Sequence, residues 1–189
     1  MIDVRPFSSL GGADHGWLNA KHHFSFASYY DPNRMGWGRL RVWNDDEIAA
    51  KSGFPPHPHA EFNLEDETTT LFQIWIETDK PGAKPGWGAK AFPKADRTGR
   101  FSVLASGDAS DDALTINADA RVLGATLNAG DSITYSLSEG RRAYLVPAVG
   151  EVEVNGVALN ARDGAAIKDV SEITITARAD AELVMVDSL

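Results

Sequence analysis

The stretch Glu151-Val152-Glu153-Val154-Asn155-Gly156-Val157 decides the fold class of this chain. Its two valines alternate with two glutamates, which is the period of a strand with one buried face and one solvent-exposed face. Asn155-Gly156 follows at once, and this dipeptide favours the positive φ angles of a tight hairpin turn. The stretch therefore predicts an antiparallel β-hairpin.

The same signals recur through the second half of the chain, where short alternating or β-branched runs lie between turn residues such as Asp163-Gly164. The predicted strands there are Phe101–Ser106, Arg121–Leu127, Ser132–Leu137, Ala143–Pro147, Glu151–Asn155, Glu172–Ala177 and Glu182–Asp187. A further strand is predicted at Thr69–Ile76. Short strands at regular spacing are typical of a β-sandwich or barrel. No stretch with a helical period exceeds about three turns, so we predict an all-β protein.

Composition excludes several classes of function. The net charge of −9 and the lack of a basic stripe argue against direct binding of nucleic acid. No apolar run approaches the length of a membrane span, and the first residues contain no apolar signal-peptide core, so the expected location is the cytoplasm. The chain contains no cysteine, which leaves histidine, aspartate and glutamate for any site chemistry.

The chain is long enough for two small β modules. The segment between Thr78 and Pro93 is rich in proline, glycine and lysine, which is typical of a crossover between modules. We therefore predict an N-terminal module at residues 1–90 and a C-terminal module at residues 91–189.

The candidate metal ligands lie in His57-Pro58-His59, which is followed by Ala60 and Glu61. On an extended chain, residues i and i+2 face the same side about 6.6 Å apart. Two imidazoles at that separation can converge on one ion at about 2.1 Å each. Pro58 cannot donate a ladder hydrogen bond, which favours a sheet edge or a bend and hence an open site. A surface turn without a metal is the alternative.

Several stretches, in the same order, resemble the pirin family. They cover nearly the whole chain and are Gly16–Pro32 (GWLNAKHHFSFASYYDP), Met35–Val42 (MGWGRLRV), Gly53–His59 (GFPPHPH), Leu71–Ile76 (LFQIWI), Asp119–Val122 (DARV), Arg142–Val146 (RAYLV), Val154–Val157 (VNGV) and Asp163–Ile167 (DGAAI).

The resemblance implies a bicupin, that is, two double-stranded β-helix modules of jelly-roll type. It implies that the N-terminal cupin holds one iron through three histidines and one glutamate, and that the C-terminal cupin carries no metal ligands. Some bacterial members of the family open the flavonol quercetin with dioxygen, and a eukaryotic member acts as a transcriptional cofactor.

The chain departs from the family pattern at its ligand motifs. The family separates a His-Pro-His segment from a later His-x-Glu segment by several strands, whereas here His57-Pro58-His59 passes directly into Ala60-Glu61. His59 belongs to both motifs. We therefore predict that a strand-turn-strand block is missing and that the N-terminal cupin is incomplete.

The predicted metal ligands are His57, His59 and Glu61. A straight strand would place His57 and Glu61 about 13 Å apart, so binding of one ion by all three requires a bend, for which Pro58 is suited. Two histidines and one carboxylate form the ligand set of many non-haem Fe(II) oxygenases. The predicted cofactor is Fe(II) or another divalent transition metal.

Three hypotheses for function follow. The first is a pirin-like dioxygenase that oxygenates a flavonol such as quercetin with O2, with Glu61 also accepting the substrate proton; the missing segment would weaken or abolish this activity. The second is a non-enzymatic binding or regulatory protein that keeps the fold without the chemistry. The third is a shortened variant that keeps the fold and little chemistry.

The remaining expectations concern packing and assembly. His22 and His23 lie in an aromatic run and are predicted to be packing residues. Trp37 and Trp43 are predicted to be core residues rather than platforms for a substrate, and Glu65-Asp66-Glu67 is predicted to be a solvated loop. A missing block would expose apolar residues of the N-terminal module, which predicts a homodimer formed through that module. The residues expected to need cover are Leu40, Val42, Leu71, Ile74 and Ile76.

Overall fold

The computed structural model describes residues 1–54, 65–79, 81–84 and 86–189. Within these residues, helix is limited to two short 3-10 turns at Phe7–Ser9 and Lys94–Arg97. The strands are β1 Ile2–Arg5, β2 Gly11–Asp14, β3 Leu18–His22, β4 Leu40–Ile48, β5 Thr69–Ile76, β6 Ser102–Ser106, β7 Leu114–Thr115, β8 Ala120–Leu127, β9 Ser132–Ser136, β10 Arg142–Val149, β11 Val152–Val154, β12 Val157–Leu159, β13 Gly164–Ile167, β14 Glu172–Ala177 and β15 Ala181–Ser188. The all-β prediction is confirmed.

The chain divides into two compact units. The first contains Met1–Ser8, Trp37–Leu40 and Ile76–Leu189, and the second contains Ser9–Gly36 and Arg41–Trp75. In the first unit, β1 pairs with β13, so the start of the chain joins the sheet of the C-terminal strands. The predicted functional division at residues 1–90 and 91–189 stays a prediction.

The first unit has two sheets. One has seven strands in the order β1-β13-β10-β15-β8-β6-β7, and the other has four in the order β12-β11-β14-β9. Alternating residues of these strands form an apolar core that includes Leu145, Ile167, Ile173 and Leu183, all fully buried. Side chains alternate across a strand, so each sheet contributes one face to this core.

The hairpin predicted around Asn155-Gly156 forms as its sequence predicts. β11 and β12 pair antiparallel, with Val154 opposite Val157. The turn residues Asn155 and Gly156 have φ angles of 46° and 84°. Both angles lie in the left-handed region, which Asn and Gly tolerate best.

The second unit is built on a four-stranded antiparallel sheet in the order β2-β3-β4-β5. In the register, His22 of β3 lies opposite Gly11 of β2 and Asn44 of β4. Two residues further along, Ala20 lies opposite Ala13 and Asp46. Opposed residues share a face, so these two rows line one side of the sheet.

The predicted exposure of the N-terminal strands is wrong for two residues. Leu40 and Val42 are buried, with exposed fractions of 1% and 2%. They lie in β4, which is an inner strand of its sheet. Leu71, Ile74 and Ile76 are half-buried in β5, which stands at the end of the strand order.

The core prediction is confirmed for Trp43 but not for Trp37, which is only half-buried. Trp43 is fully buried and contacts the rings of His23 and Phe72 at 6.0 and 5.2 Å between centroids. Trp37 is half-buried, and its Nε1 donates a hydrogen bond to the carbonyl oxygen of Ala143 at 3.0 Å.

Two further sequence predictions concern the acidic loop and membrane-spanning segments. Glu65-Asp66-Glu67 is exposed, as a solvated loop should be. In the part of the chain that the structure describes, no helix has both the length and the apolar character needed to cross a bilayer.

Candidate functional site

The buried face of the four-stranded sheet carries polar residues, whereas the buried face of most sheets is apolar. Asn44 and Asp46 of β4 have exposed fractions of 2% and 1%, and His22 of β3 has 3%. Because residues i and i+2 of a strand share a face, Asn44 and Asp46 lie side by side. Buried polar groups need partners, so such a concentration marks a candidate site.

These residues line a cavity of about 290 Å³ in the second unit. Its described lining is mostly apolar, with Ala13, Leu18, Ala20, Phe26, Ala27, Phe54 and Trp75. The polar side chains in its walls are His15, His22, Asn44, Asp46 and Gln73. An apolar, aromatic-walled cavity with a few polar groups is the usual form of a small-molecule site, and this volume lies at the lower end of the usual range.

Aromatic pairs make two of the cavity walls. Phe26 and Trp75 meet edge to face, with centroids 5.4 Å apart and planes at 89°. Phe54 packs in the same manner on Trp17, at 5.0 Å and 82°. Such pairs hold rings in defined orientations, so the walls have a fixed shape for an aromatic ligand.

The imidazole of His22 is held on three sides. Its Nδ1 lies 2.9 Å from Oδ1 of Asn44. Its ring is 5.3 Å from that of Phe26 and lies nearly parallel to that of Tyr29, at 6.4 Å and 28°. Gly11 makes room for Tyr29, because a Cβ at Gly11 would lie 2.3 Å from Cγ of the tyrosine ring.

Burial lowers the pKa of His22 below its ordinary value of 6.5, because the imidazolium ion loses solvation inside the protein. The hydrogen bond to Asn44 opposes this shift and the charge of Lys21 adds to it, both with smaller effect. His22 is therefore neutral at pH 7. With its Nδ1–H donating to Asn44, the lone pair of the ring lies on Nε2.

The predicted metal ligands His57, His59 and Glu61 lie outside the described residues. The described chain stops at Phe54, a cavity wall, and resumes at Glu65. Close to these two ends, Lys51 and Asp66 form an exposed ion pair at 2.9 Å. Within the described ranges, no group of three or more His, Asp or Glu side chains is placed to hold a metal ion.

The sequence prediction did not find the cavity residues on β4 and β5. Asn44 belongs to a polar run, Asn44-Asp45-Asp46-Glu47, which resembles a solvated turn. A signal was present, because Leu40, Val42, Asn44, Asp46 and Ile48 continue one alternating face. Polar residues on an otherwise apolar strand face indicate that this face lines a binding cavity.

Family models match both parts of the chain. Residues 3–65 match the model described as Pirin. Residues 103–188 match the model described as the quercetinase C-terminal cupin domain.

Two relatives align over essentially the whole chain. A pirin-like protein of Caulobacter vibrioides is 57% identical, and the alignment covers 100% of both chains. A protein of Pseudomonas aeruginosa, provisionally named as a quercetin 2,3-dioxygenase, is 52% identical over 99% of both. The Caulobacter alignment runs over 231 residues, against 189 in this chain, so 42 aligned positions have no counterpart here.

Among solved structures, a bacterial pirin from Escherichia coli in complex with nickel(II) has the same fold. Its TM-score is 0.91 at 30% sequence identity, and the superposition covers 100% of this chain and 99% of that one.

Proposed function

Because the chain belongs to the pirin family, we propose that it is a metal-dependent dioxygenase that acts on a planar phenolic compound such as the flavonol quercetin. The relative from Pseudomonas aeruginosa bears the name of that activity, provisionally. The observation that carries the proposal is the apolar, aromatic-walled cavity of the second unit. Its walls suit a flat aromatic ligand, and its polar groups suit a hydroxyl.

The proposed metal ligands are His57, His59 and Glu61. Two imidazoles and one carboxylate are a donor set for non-haem Fe(II), and the nickel(II) complex of the Escherichia coli pirin supports a divalent ion. Chain connectivity supports proximity to the cavity, because a chain extends at most about 3.6 Å per residue. His57 follows the cavity-wall residue Phe54 by three positions in the sequence.

The bound metal would supply a Lewis acid with open positions for the substrate and O2. The chain's own groups have three tasks. The rings of Phe26 and Trp75 hold the flat face of the substrate, and the apolar walls exclude water. Glu61 is assigned as the general base that accepts the proton of the substrate hydroxyl, a role that carboxylates fill in many enzymes.

Metal removal tests the proposal. Protein purified without chelator is expected to contain a divalent transition metal and to consume O2 when quercetin is added. After dialysis against a chelator, O2 consumption should fall to background, and re-addition of Fe(II) should restore it. Elemental analysis and an oxygen electrode measure both quantities. Protein with no metal above background and no quercetin-dependent O2 consumption would contradict the proposal.

A non-enzymatic binding or regulatory role is the second candidate. The 42 aligned positions without a counterpart in this chain favour it, because a missing block at the ligand motifs would remove part of the metal site. Which positions these are stays a prediction. Protein that binds quercetin tightly, yet contains no metal and consumes no O2, would support this role over the enzyme.

Association through the second unit is a separate prediction. Among the described strands, β5 stands at the end of its sheet; its Leu71 and Ile74 are half-buried, and Trp75 is 46% exposed. Edge strands with apolar side chains pair readily with other chains, so a homodimer is expected. Light scattering should give twice the monomer mass, and Ile74→Lys should return the protein to monomer. A monomer at high concentration would contradict the prediction.

A further inference from the structure

We infer that His22 is the hydrogen-bond acceptor for the hydroxyl group of an aromatic ligand in the cavity, and that Asn44 positions it. The inference deepens the proposed function and rests on it for the natural substrate only. It starts from the register of the sheet, which sets His22 and Asn44 opposite each other on the cavity face.

The hydrogen bond to Asn44 decides which nitrogen of His22 serves the ligand. Nδ1 of His22 lies 2.9 Å from Oδ1 of Asn44, which is hydrogen-bond distance. Because an amide oxygen can only accept a hydrogen bond, Nδ1 carries the hydrogen. Nε2 then has a lone pair. Within the described ranges, the hydrogen bond of the His22 side chain is the one to Asn44, made at Nδ1.

The orientation of the ring is fixed by packing. Tyr29 lies nearly parallel to His22 on one side, and Phe26 approaches at a tilt of 55°. The backbone of Phe26 and Tyr29 is itself closed by two mutual hydrogen bonds of 3.0 and 2.9 Å. An acceptor held in this manner loses little conformational freedom when a ligand binds.

The chemistry of the cavity selects the ligand. Its rings provide contact for a flat apolar body, and a lone pair in an apolar wall favours an O–H donor. A phenolic hydroxyl on an aromatic ring meets both requirements. The cavity is also lined by the imidazole of His15, the carboxylate of Asp46 and the amide of Gln73, so the test must distinguish His22 from them.

The test compares two probes of nearly equal size, 2-naphthol and 2-fluoronaphthalene, of which only the first donates a hydrogen bond. Equilibrium dialysis is run on the full chain after metal removal and under nitrogen. We expect the native protein to prefer 2-naphthol by roughly three- to tenfold, the net worth of one hydrogen bond. His22→Phe, which keeps a ring between Phe26 and Tyr29, should bring the ratio to about one.

Asn44→Leu provides a second variant, because leucine has a similar size and cannot accept a hydrogen bond. It should lower the preference part of the way, since His22 then occupies both tautomers. Asn19→Leu is the matched control: Asn19 is exposed on β3 and points to the other face, so the ratio should not change. If His22→Phe does not fold, as judged by circular dichroism, this pair of variants carries the test.

Three outcomes would overturn the inference: no preference in the native protein, an unchanged preference in His22→Phe or in Asn44→Leu, or a preference lost only in Asp46→Leu. The assay uses neither metal nor O2. A hydroxyl preference that depends on His22, in protein without metal or O2 consumption, would support the inference while contradicting the dioxygenase. O2 consumption with no hydroxyl preference would support the dioxygenase while contradicting the inference.

Discussion

Replacing His59 with alanine is expected to bring the metal content of the purified protein to background and to abolish quercetin-dependent O2 consumption. His59 belongs to the predicted ligand set whichever of the two fused motifs is considered. Loss of a direct ligand should cost more than loss of a residue that only orients one, which typically costs about 10- to 100-fold in metal affinity. We therefore expect a loss of at least about 100-fold.

Glu61→Gln should reduce metal affinity less than His59→Ala, because Glu61 reaches the ion only if the chain bends at Pro58. It should nevertheless reduce O2 consumption strongly, since an amide cannot accept the substrate proton. Glu67→Gln is the matched control, because Glu67 is an exposed acid a few residues further along. Metal binding that survives His59→Ala unchanged would contradict the ligand assignment.

The strands that the sequence predicts well are those with a clear alternation of side chains. Thr69–Ile76 and Glu172–Ala177 form strands with the expected bounds. β2 and β13 were not predicted. β2 reads Gly-Gly-Ala-Asp and has no apolar alternation, while all four residues of β13 are buried, so its two faces do not differ in polarity. Only pairing with neighbouring strands makes these segments strands.

The site was less predictable than the fold for a similar reason. The histidine pair and the following carboxylate carry their signal in local spacing, so sequence alone identifies them as candidates. The cavity depends on strands distant along the chain: Asn44 is buried because β3 and β5 flank β4. The polarity of Asn44-Asp45-Asp46-Glu47 suggests a solvent-exposed segment, but pairing within the sheet buries Asn44. His22 was predicted only as a packing residue because its partner Asn44 could not be identified.

The first unit contains a buried charge network centred on Asp187. Its carboxylate accepts a hydrogen bond from the hydroxyl of Tyr135 at 2.5 Å and from Nε of Arg141 at 2.6 Å. The Asp187 side chain is 3% exposed. Arg141 also pairs with Asp119 at 2.7 Å, but the Asp119 side chain is 48% exposed. Burial raises the pKa of Tyr135, and its hydrogen bond to Asp187 adds to the shift.

Asp187→Ala is expected to lower the free energy of unfolding by about 3–5 kcal/mol. The change leaves Arg141, whose side chain is only 14% exposed, without its buried counter-charge, and it leaves the Tyr135 hydroxyl without its acceptor. Asp119→Ala should cost no more than about 1 kcal/mol, because an exposed pair is screened by water. Urea denaturation followed by circular dichroism measures both variants. Equal urea midpoints for Asp187→Ala and Asp119→Ala would show that the buried pair contributes no more to the free energy of unfolding than the exposed pair.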